Sequence, residues 1–211
     1  MSLVKHGFAI INFTYRLAPE YKFPAQLEDT VMVFNWLLDH QNEYGFDIDN
    51  VFAVGDSAGG HLLGLYSCLC TNLDYADKYH FKVKDKFRPK AVALNCGVYQ
   101  MDMSNKNDIL TRLLKDLLEN KGSDEEIYLI NVLNHINNSF PPAYVMTAVE
   151  DFVKEHSMLL VDKLKQHNIR HIFKIYGDDN NKLGHVFHCN IRTDDAYNCN
   201  KEECDFFRSF I

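Results

Sequence analysis

The sequence predicts an α/β domain, a mostly parallel β-sheet covered by helices on both faces. Two observations carry this. Short apolar, β-branched runs alternate with segments whose apolar residues recur at helical spacing, and the stretches joining successive runs are long enough to be helical crossovers. Composition is even along all 211 residues, which fits one domain, 1–211, able to bury roughly 70% of its unfolded surface.

Taken in order, residues 8–13 (FAIINF) read as a buried strand, and Leu17-Ala18-Pro19-Glu20 with Phe23-Pro24 as a loop. From Ala25 to about Asn42, the apolar residues Leu27, Val31, Phe34, Leu37 and Leu38 mark a helix, with Trp36 on its apolar side as a core residue. Residues 51–54 (VFAV) form the next strand, ending at Gly55, and a helix follows from about Ala58 to Asn72. The charged, aromatic stretch 74–86 reads as an exposed excursion. Residues 91–95 (AVALN) are a third strand. Helices are expected over 107–120 and 123–137, with Gly122 closing the first and Ser123 and Glu126 forming a capping box for the second. Pro141-Pro142 breaks the chain before a fourth strand, 143–147. A helix from about Lys154 to His167, a strand at 171–175 and a closing helix over 196–210 complete the pattern. The helix pair at 102–140 interrupts the alternation after the strand at 91–95, as an insertion or cap.

The balance of charge is acidic, with a formal net charge of −7 and no basic tract, which argues against a nucleic-acid partner. No apolar run approaches the 18 or so residues that span a bilayer, and the start shows no secretory pattern, so no membrane partner and a cytoplasmic location are expected. Six cysteines, Cys68, Cys70, Cys96, Cys189, Cys199 and Cys204, match no zinc spacing and read as reduced, buried small hydrophobes. No cofactor is implied.

Chemistry concentrates at Gly55-Asp56-Ser57-Ala58-Gly59, a G-x-S-x-G run placed between a strand and a helix. A sharp turn there lifts a serine hydroxyl above the sheet, the glycines leave room for it, and the helix N-terminus offers free N–H groups to a developing oxyanion. A serine nucleophile needs a base, and the base an orienting carboxylate. After the fourth strand come Glu150-Asp151; after the fifth come Asp178, Asp179 and then His185 and His188. Asp151 is the leading acid, with Glu150 the alternative, and His185 the leading base, with His188 behind it. The run His185-x-x-His188-Cys189 is the one spacing that suggests metal ligands; lacking matched partners, it is read as non-metal. Arg16 and Glu20 are expected to pair structurally, His61 to be structural, and Asp56 to hydrogen-bond within its turn.

Tyr15-Arg16-Leu17-Ala18-Pro19-Glu20, Phe23-Pro24-Ala25, Leu27-Glu28-Asp29, Gly55-Asp56-Ser57-Ala58-Gly59-Gly60-His61 and residues 141–148 (PPAYVMTA) followed by Asp151 resemble the hormone-sensitive-lipase-like, or acetyl esterase/lipase, branch of the α/β-hydrolase carboxylesterases. The resemblance runs from Phe8 to about Phe187. It implies a three-layer α/β-hydrolase, an esterase of short acyl groups such as those on acetylated sugars, the triad Ser57, Asp151 and His185, and an oxyanion N–H at Ala58. Two departures accompany it. The family's His-Gly-Phe is here His185-Val186-Phe187, and its His-Gly-Gly-Gly oxyanion run occurs nowhere in the chain, so an N-terminally incomplete hydrolase is expected.

Three functions compete at this point. A serine esterase with a small-molecule ester as partner leads. A serine peptidase on the same fold has the same triad order, whereas a trypsin-like protease needs its His and Asp before the Ser. A truncated, non-catalytic module would follow from the absent glycine run. A homodimer is left open.

Overall fold

The computed structural model describes residues 2–105 and 108–211. Four strands, β1 (Phe52–Asp56), β2 (Ala91–Asn95), β3 (Ala143–Ala148) and β4 (His171–Tyr176), form one sheet in the order β1-β2-β3-β4, and every pairing is parallel. β2 and β3 are central and wholly buried, which is why they read as unbroken apolar runs; β1 and β4 are edges and partly exposed.

The helices are α1 (Ala25–Asp39), α2 (Gln41–Tyr44), α3 (Ala58–Thr71), α4 (Leu73–Ala76), α5 (Ile109–Leu117), α6 (Asp124–Ile130), α7 (Lys154–Gln166) and α8 (Asp194–Arg208). The two-residue period of the central strands sorts side chains into two cores. Val92, Leu94, Ala143 and Val145 pack with Leu27 and Val31 of α1, Leu65 and Tyr66 of α3, and Leu160 and Leu164 of α7. Ala91, Ala93, Tyr144 and Met146 face the other way, against Cys199, Phe206 and Phe207 of α8. The result is three layers, helix–sheet–helix. α3 is buried from Gly60 through Leu69, so it cannot show a clean amphipathic stripe. Each of its buried leucines contributes about 2 kcal/mol of apolar burial.

The insertion after β2 builds a satellite core from Leu114, Leu118 and Ile130 with Phe23, Met101 and Met103. The capping box forms: Ser123 Oγ accepts the Glu126 N–H, and the Glu126 carboxylate accepts the Ser123 N–H. His61 Nε2 donates to the Ile130 carbonyl at 2.7 Å, so the insertion is fastened to α3. No helix among the described residues is long and apolar enough to cross a membrane.

Several expectations are corrected. Residues 8–13 are irregular, because no described strand lies beside β1 to pair with them; Phe8 instead packs its ring against Phe52 and Phe207. The two insertion helices are shorter than their patterns, and residue 107, the expected start of the first, lies outside the described residues. α5 stops at Leu117, whose carbonyl accepts the Phe23 N–H at 2.9 Å, and Leu118 turns extended; Gly122 therefore closes no helix and donates its N–H to Glu126. Trp36 is 38% exposed, stacked on His40 and near Tyr44 in a surface aromatic group. Arg16 pairs with Glu28 and Asp29 on the first turns of α1, leaving Glu20 exposed. The excursion at 74–86 is anchored by Tyr75 and Tyr79, both buried. All six cysteines are free thiols, but Cys189 is exposed and Cys70 half-buried.

Candidate active site

β1 runs straight into the candidate turn. Ser57 sits at φ 53°, ψ −116°, a conformation strained for a side chain with a Cβ, and α3 starts at Ala58. The strain is held from three directions. The Ser57 N–H donates to the Asn95 carbonyl at 2.9 Å, the His61 N–H starts the helix on the Ser57 carbonyl at 3.0 Å, and the strand and helix meet through glycine. A Cβ on Gly55 would lie 2.3 Å from the Gly59 carbonyl oxygen, and one on Gly60 3.0 Å from the Gly55 oxygen. A Cβ on Gly59 meets nothing within 4 Å, so of the motif's two glycines the first is sterically required and the second is not. Ala58, as the first residue of α3, has an amide with no acceptor four residues back.

The other candidates arrive on loops at the same end of the sheet. β3 ends at Ala148, and Asp151 follows with its side chain fully buried. Its carboxylate accepts Thr147 Oγ at 2.8 Å, the Val153 N–H at 3.1 Å and His185 Nδ1 at 2.7 Å. Burial pushes the Asp151 pKa up, but those donors and the Cys96 thiol outweigh it, and the group is held below its ordinary range. His185 comes from the loop after β4, which a Glu150–Gly184 bridge fastens to the Asp151 turn. His185 Nε2 lies 2.9 Å from Ser57 Oγ. Hydroxyl, imidazole and carboxylate thus form one hydrogen-bonded chain with contacts of 2.9 and 2.7 Å, and the Phe152 ring centroid lies 4.6 Å from that of the imidazole. Val186 takes the position of the expected glycine in the left-handed region, at φ 49°.

The alternatives lie elsewhere. Glu150 is exposed and paired with Lys182, and Asp178 accepts the N–H groups of Asn180 and Asn181 in its own turn. His188 is buried and turned to Asp56, with its Nε2 2.7 Å from the carboxylate. His185 and His188 therefore belong to two separate sets of donor atoms. Each sits with one carboxylate and one thiol, His185 with Asp151 and Cys96 and His188 with Asp56 and Cys189; within each set the donor atoms lie within 4.8 Å of one another. Sequence reasoning missed Cys96 and Thr147 beside Asp151, and missed the Asp56–His188 pair. The only advance signal for that pair was the nearness of Asp56 to Ser57 and of His188 to His185.

Residues 1–164 match the BD-FAE family. The chain belongs to the BD-FAE family. Among curated relatives, this BD-FAE chain is 27% identical over 182 residues to an acetyl esterase of Salmonella paratyphi B, covering 81% of this chain and 54% of the relative. It is 23% identical over 192 residues to lipase 2 of Moraxella sp. (strain TA144), covering 78% of this chain and 44% of the relative. The chain thus spans about half the length of these relatives. Esterase B from Lactobacillus rhamnosis, in a crystal structure inhibited by a tributyrin phosphonate, superposes with a TM-score of 0.83 at 24% identity, over 94% of this chain and 64% of that one. A Pyrobaculum calidifontis esterase superposes with a TM-score of 0.73 at 22% identity, over 92% and 64% of the two chains. The fold is that of the α/β hydrolases.

Proposed function

We propose that this BD-FAE chain carries the catalytic centre of a serine carboxylic ester hydrolase acting on short acyl groups, such as the acetyl groups of acetylated sugars. One observation carries the reading: the hydrogen-bonded chain from Ser57 Oγ through His185 to Asp151, with contacts of 2.9 and 2.7 Å. The curated relative named acetyl esterase supports the acetyl group, and the one named lipase supports ester hydrolysis.

In this mechanism Ser57 Oγ attacks the ester carbonyl carbon while His185 Nε2 takes the hydroxyl proton. Asp151 holds the Nδ1–H tautomer and stabilises the imidazolium. The Ala58 N–H, at the positive end of α3, hydrogen-bonds the tetrahedral oxyanion. Collapse breaks the bond to the alkoxy oxygen, which leaves as alcohol with the proton from His185. Water, deprotonated by the same imidazole, then attacks the acyl-enzyme; the carboxylic acid departs and Ser57 regains its proton.

The test is hydrolysis of p-nitrophenyl acetate by the chain, with Ser57→Ala beside it. The reading expects turnover that drops at least about 10³-fold in the variant. Equal turnover by the two proteins overturns it.

A further inference from the structure

We propose that Asp56 and His188 form a latch that positions the loop bearing His185 against the turn bearing Ser57. The proposal rests on the hydrolase reading above, in which Ser57 and His185 are the reacting pair.

The geometry is a double clasp. On one side stand two adjacent residues of the turn, Asp56 and Ser57. On the other stand two residues of a single tight loop, His185 and His188, separated by Val186 and by the start of the short 3-10 turn Phe187–Cys189. His185 Nε2 reaches Ser57 Oγ at 2.9 Å and His188 Nε2 reaches the Asp56 carboxylate at 2.7 Å. These contacts join segments more than 120 residues apart in sequence, 128 for one pair and 132 for the other. Two contacts resist a rotation of the loop that one alone would permit.

Both halves of the latch are themselves held. Asn95 Nδ2, from the end of β2, donates to Asp56 at 3.1 Å and to Glu203 of α8 at 2.7 Å. Asn200 of α8 donates to the His188 carbonyl at 3.2 Å. The titratable groups facing His188 are Asp56 from β1, Cys189 from its own turn and Glu203 from α8. Burial pushes the His188 pKa down, but Asp56 and then Cys189 outweigh it and lift the imidazole to about 10. Burial likewise pushes Asp56 up, and His188 and Asn95 bring it below its ordinary range. The pair is therefore an ion pair at neutral pH, and losing Asp56 strands a charge on the buried His188. His188 touches no reacting atom. It is a positioning residue, and its effect reaches chemistry only through the placement of His185, where an error of about 1 Å costs up to about 10²-fold in rate.

The test uses the full chain labelled with ¹⁵N-histidine, with His188→Leu, which removes the donor, His188→Gln, which keeps one, and Asp56→Asn. Two quantities are read: the His185 Nδ1–H resonance, and the second-order rate at which diisopropyl fluorophosphate modifies Ser57. Expected are a shifted or broadened His185 signal and labelling slowed about tenfold or more in His188→Leu, recovery toward the parent in His188→Gln, and a His188 that titrates near neutrality in Asp56→Asn. A folded His188→Leu with the parent His185 signal and labelling rate overturns the latch. Where His188→Leu does not fold, Asp56→Asn decides in the same way: slowed labelling supports the latch and an unchanged rate overturns it. Where the parent itself fails to react with the probe, the hydrolase reading fails, and the His185 resonance alone decides the latch.

Discussion

The backbone N–H of Ser57 donates to the carbonyl of Asn95 at 2.9 Å, so the turn is fixed to the neighbouring strand as well as to its own. Asn95 extends the tie with its side chain, which reaches Asp56 and Glu203. One fully buried residue at the end of β2 thus joins the serine turn, the strand before it and α8. A strained Ser57 persists because these partners over-determine it.

The two glycines of the motif are expected to respond oppositely to alanine. Gly55→Ala puts a methyl 2.3 Å from a backbone oxygen, and backbone cannot swing aside as a flexible side chain does. It is expected to cost about 3 kcal/mol or more, in the range of severe overpacking, and to abolish esterase turnover. Gly59→Ala meets open space within the first turn of α3, where alanine is the better helix former, and is expected to hold or raise stability by about 0.5–1 kcal/mol. Urea denaturation of the two variants measures both numbers, and equal losses would contradict the steric account.

Asp151→Asn preserves shape but replaces a carboxylate that accepts Thr147, Val153 and His185. An amide facing His185 Nδ1 favours the wrong tautomer, leaving Nε2 protonated and unable to take the Ser57 proton. The expected result is a fall in kcat of about 10³–10⁴-fold with a far-UV circular dichroism spectrum like the parent's. A loss under tenfold would remove Asp151 from the mechanism.

What could be read in advance follows from how local each signal is. β2 and β3 are legible because both faces are buried, so unbroken apolar runs suffice. The serine turn is legible because its geometry is written in five consecutive residues, and the loops carrying Asp151 and His185 follow from strand ends. Residues 8–13 have the right composition for a strand, but a strand exists only where a partner lies beside it, and composition does not supply one. Trp36 illustrates a related limit: helical spacing names a face, while exposure depends on His40 and Tyr44 gathering around it at the surface. The Asp56–His188 pair links positions 132 residues apart, and no local pattern encodes that contact.

Val186 holds the left-handed conformation that a β-branched residue adopts at a cost of about 1–2 kcal/mol. Its side chain is only half-buried against the α8 core, so glycine forfeits little packing. Val186→Gly is expected to stabilise the protein by about 0.5–1 kcal/mol, the relief of strain exceeding the glycine's added unfolded-state entropy. Guanidinium denaturation checks the sign; a destabilised variant would mean that packing by Val186 outweighs its strain.

Glu203 sets a stability change with pH. It is buried on α8, and burial raises its pKa from 4.5 to about 7, against the opposing donor from Asn95. The folded protein therefore binds a proton that the unfolded chain releases between those two values. Stability from this group is undiminished below about pH 4.5, falls as pH rises through 7, and is fully lost above it. His188 adds a second decline at higher pH, since its folded value of about 10 also exceeds the ordinary 6.5. Glu203→Gln isolates the first decline, because a glutamine oxygen still accepts from Asn95 and carries no charge. The variant and parent are expected to unfold alike near pH 4.5 and to separate as pH rises. By about pH 8 the variant is expected to be more stable by about 2–3 kcal/mol, or roughly 5–10 °C in Tm. Parallel Tm curves across that range would show that Glu203 ionises in the folded state as readily as in the unfolded chain.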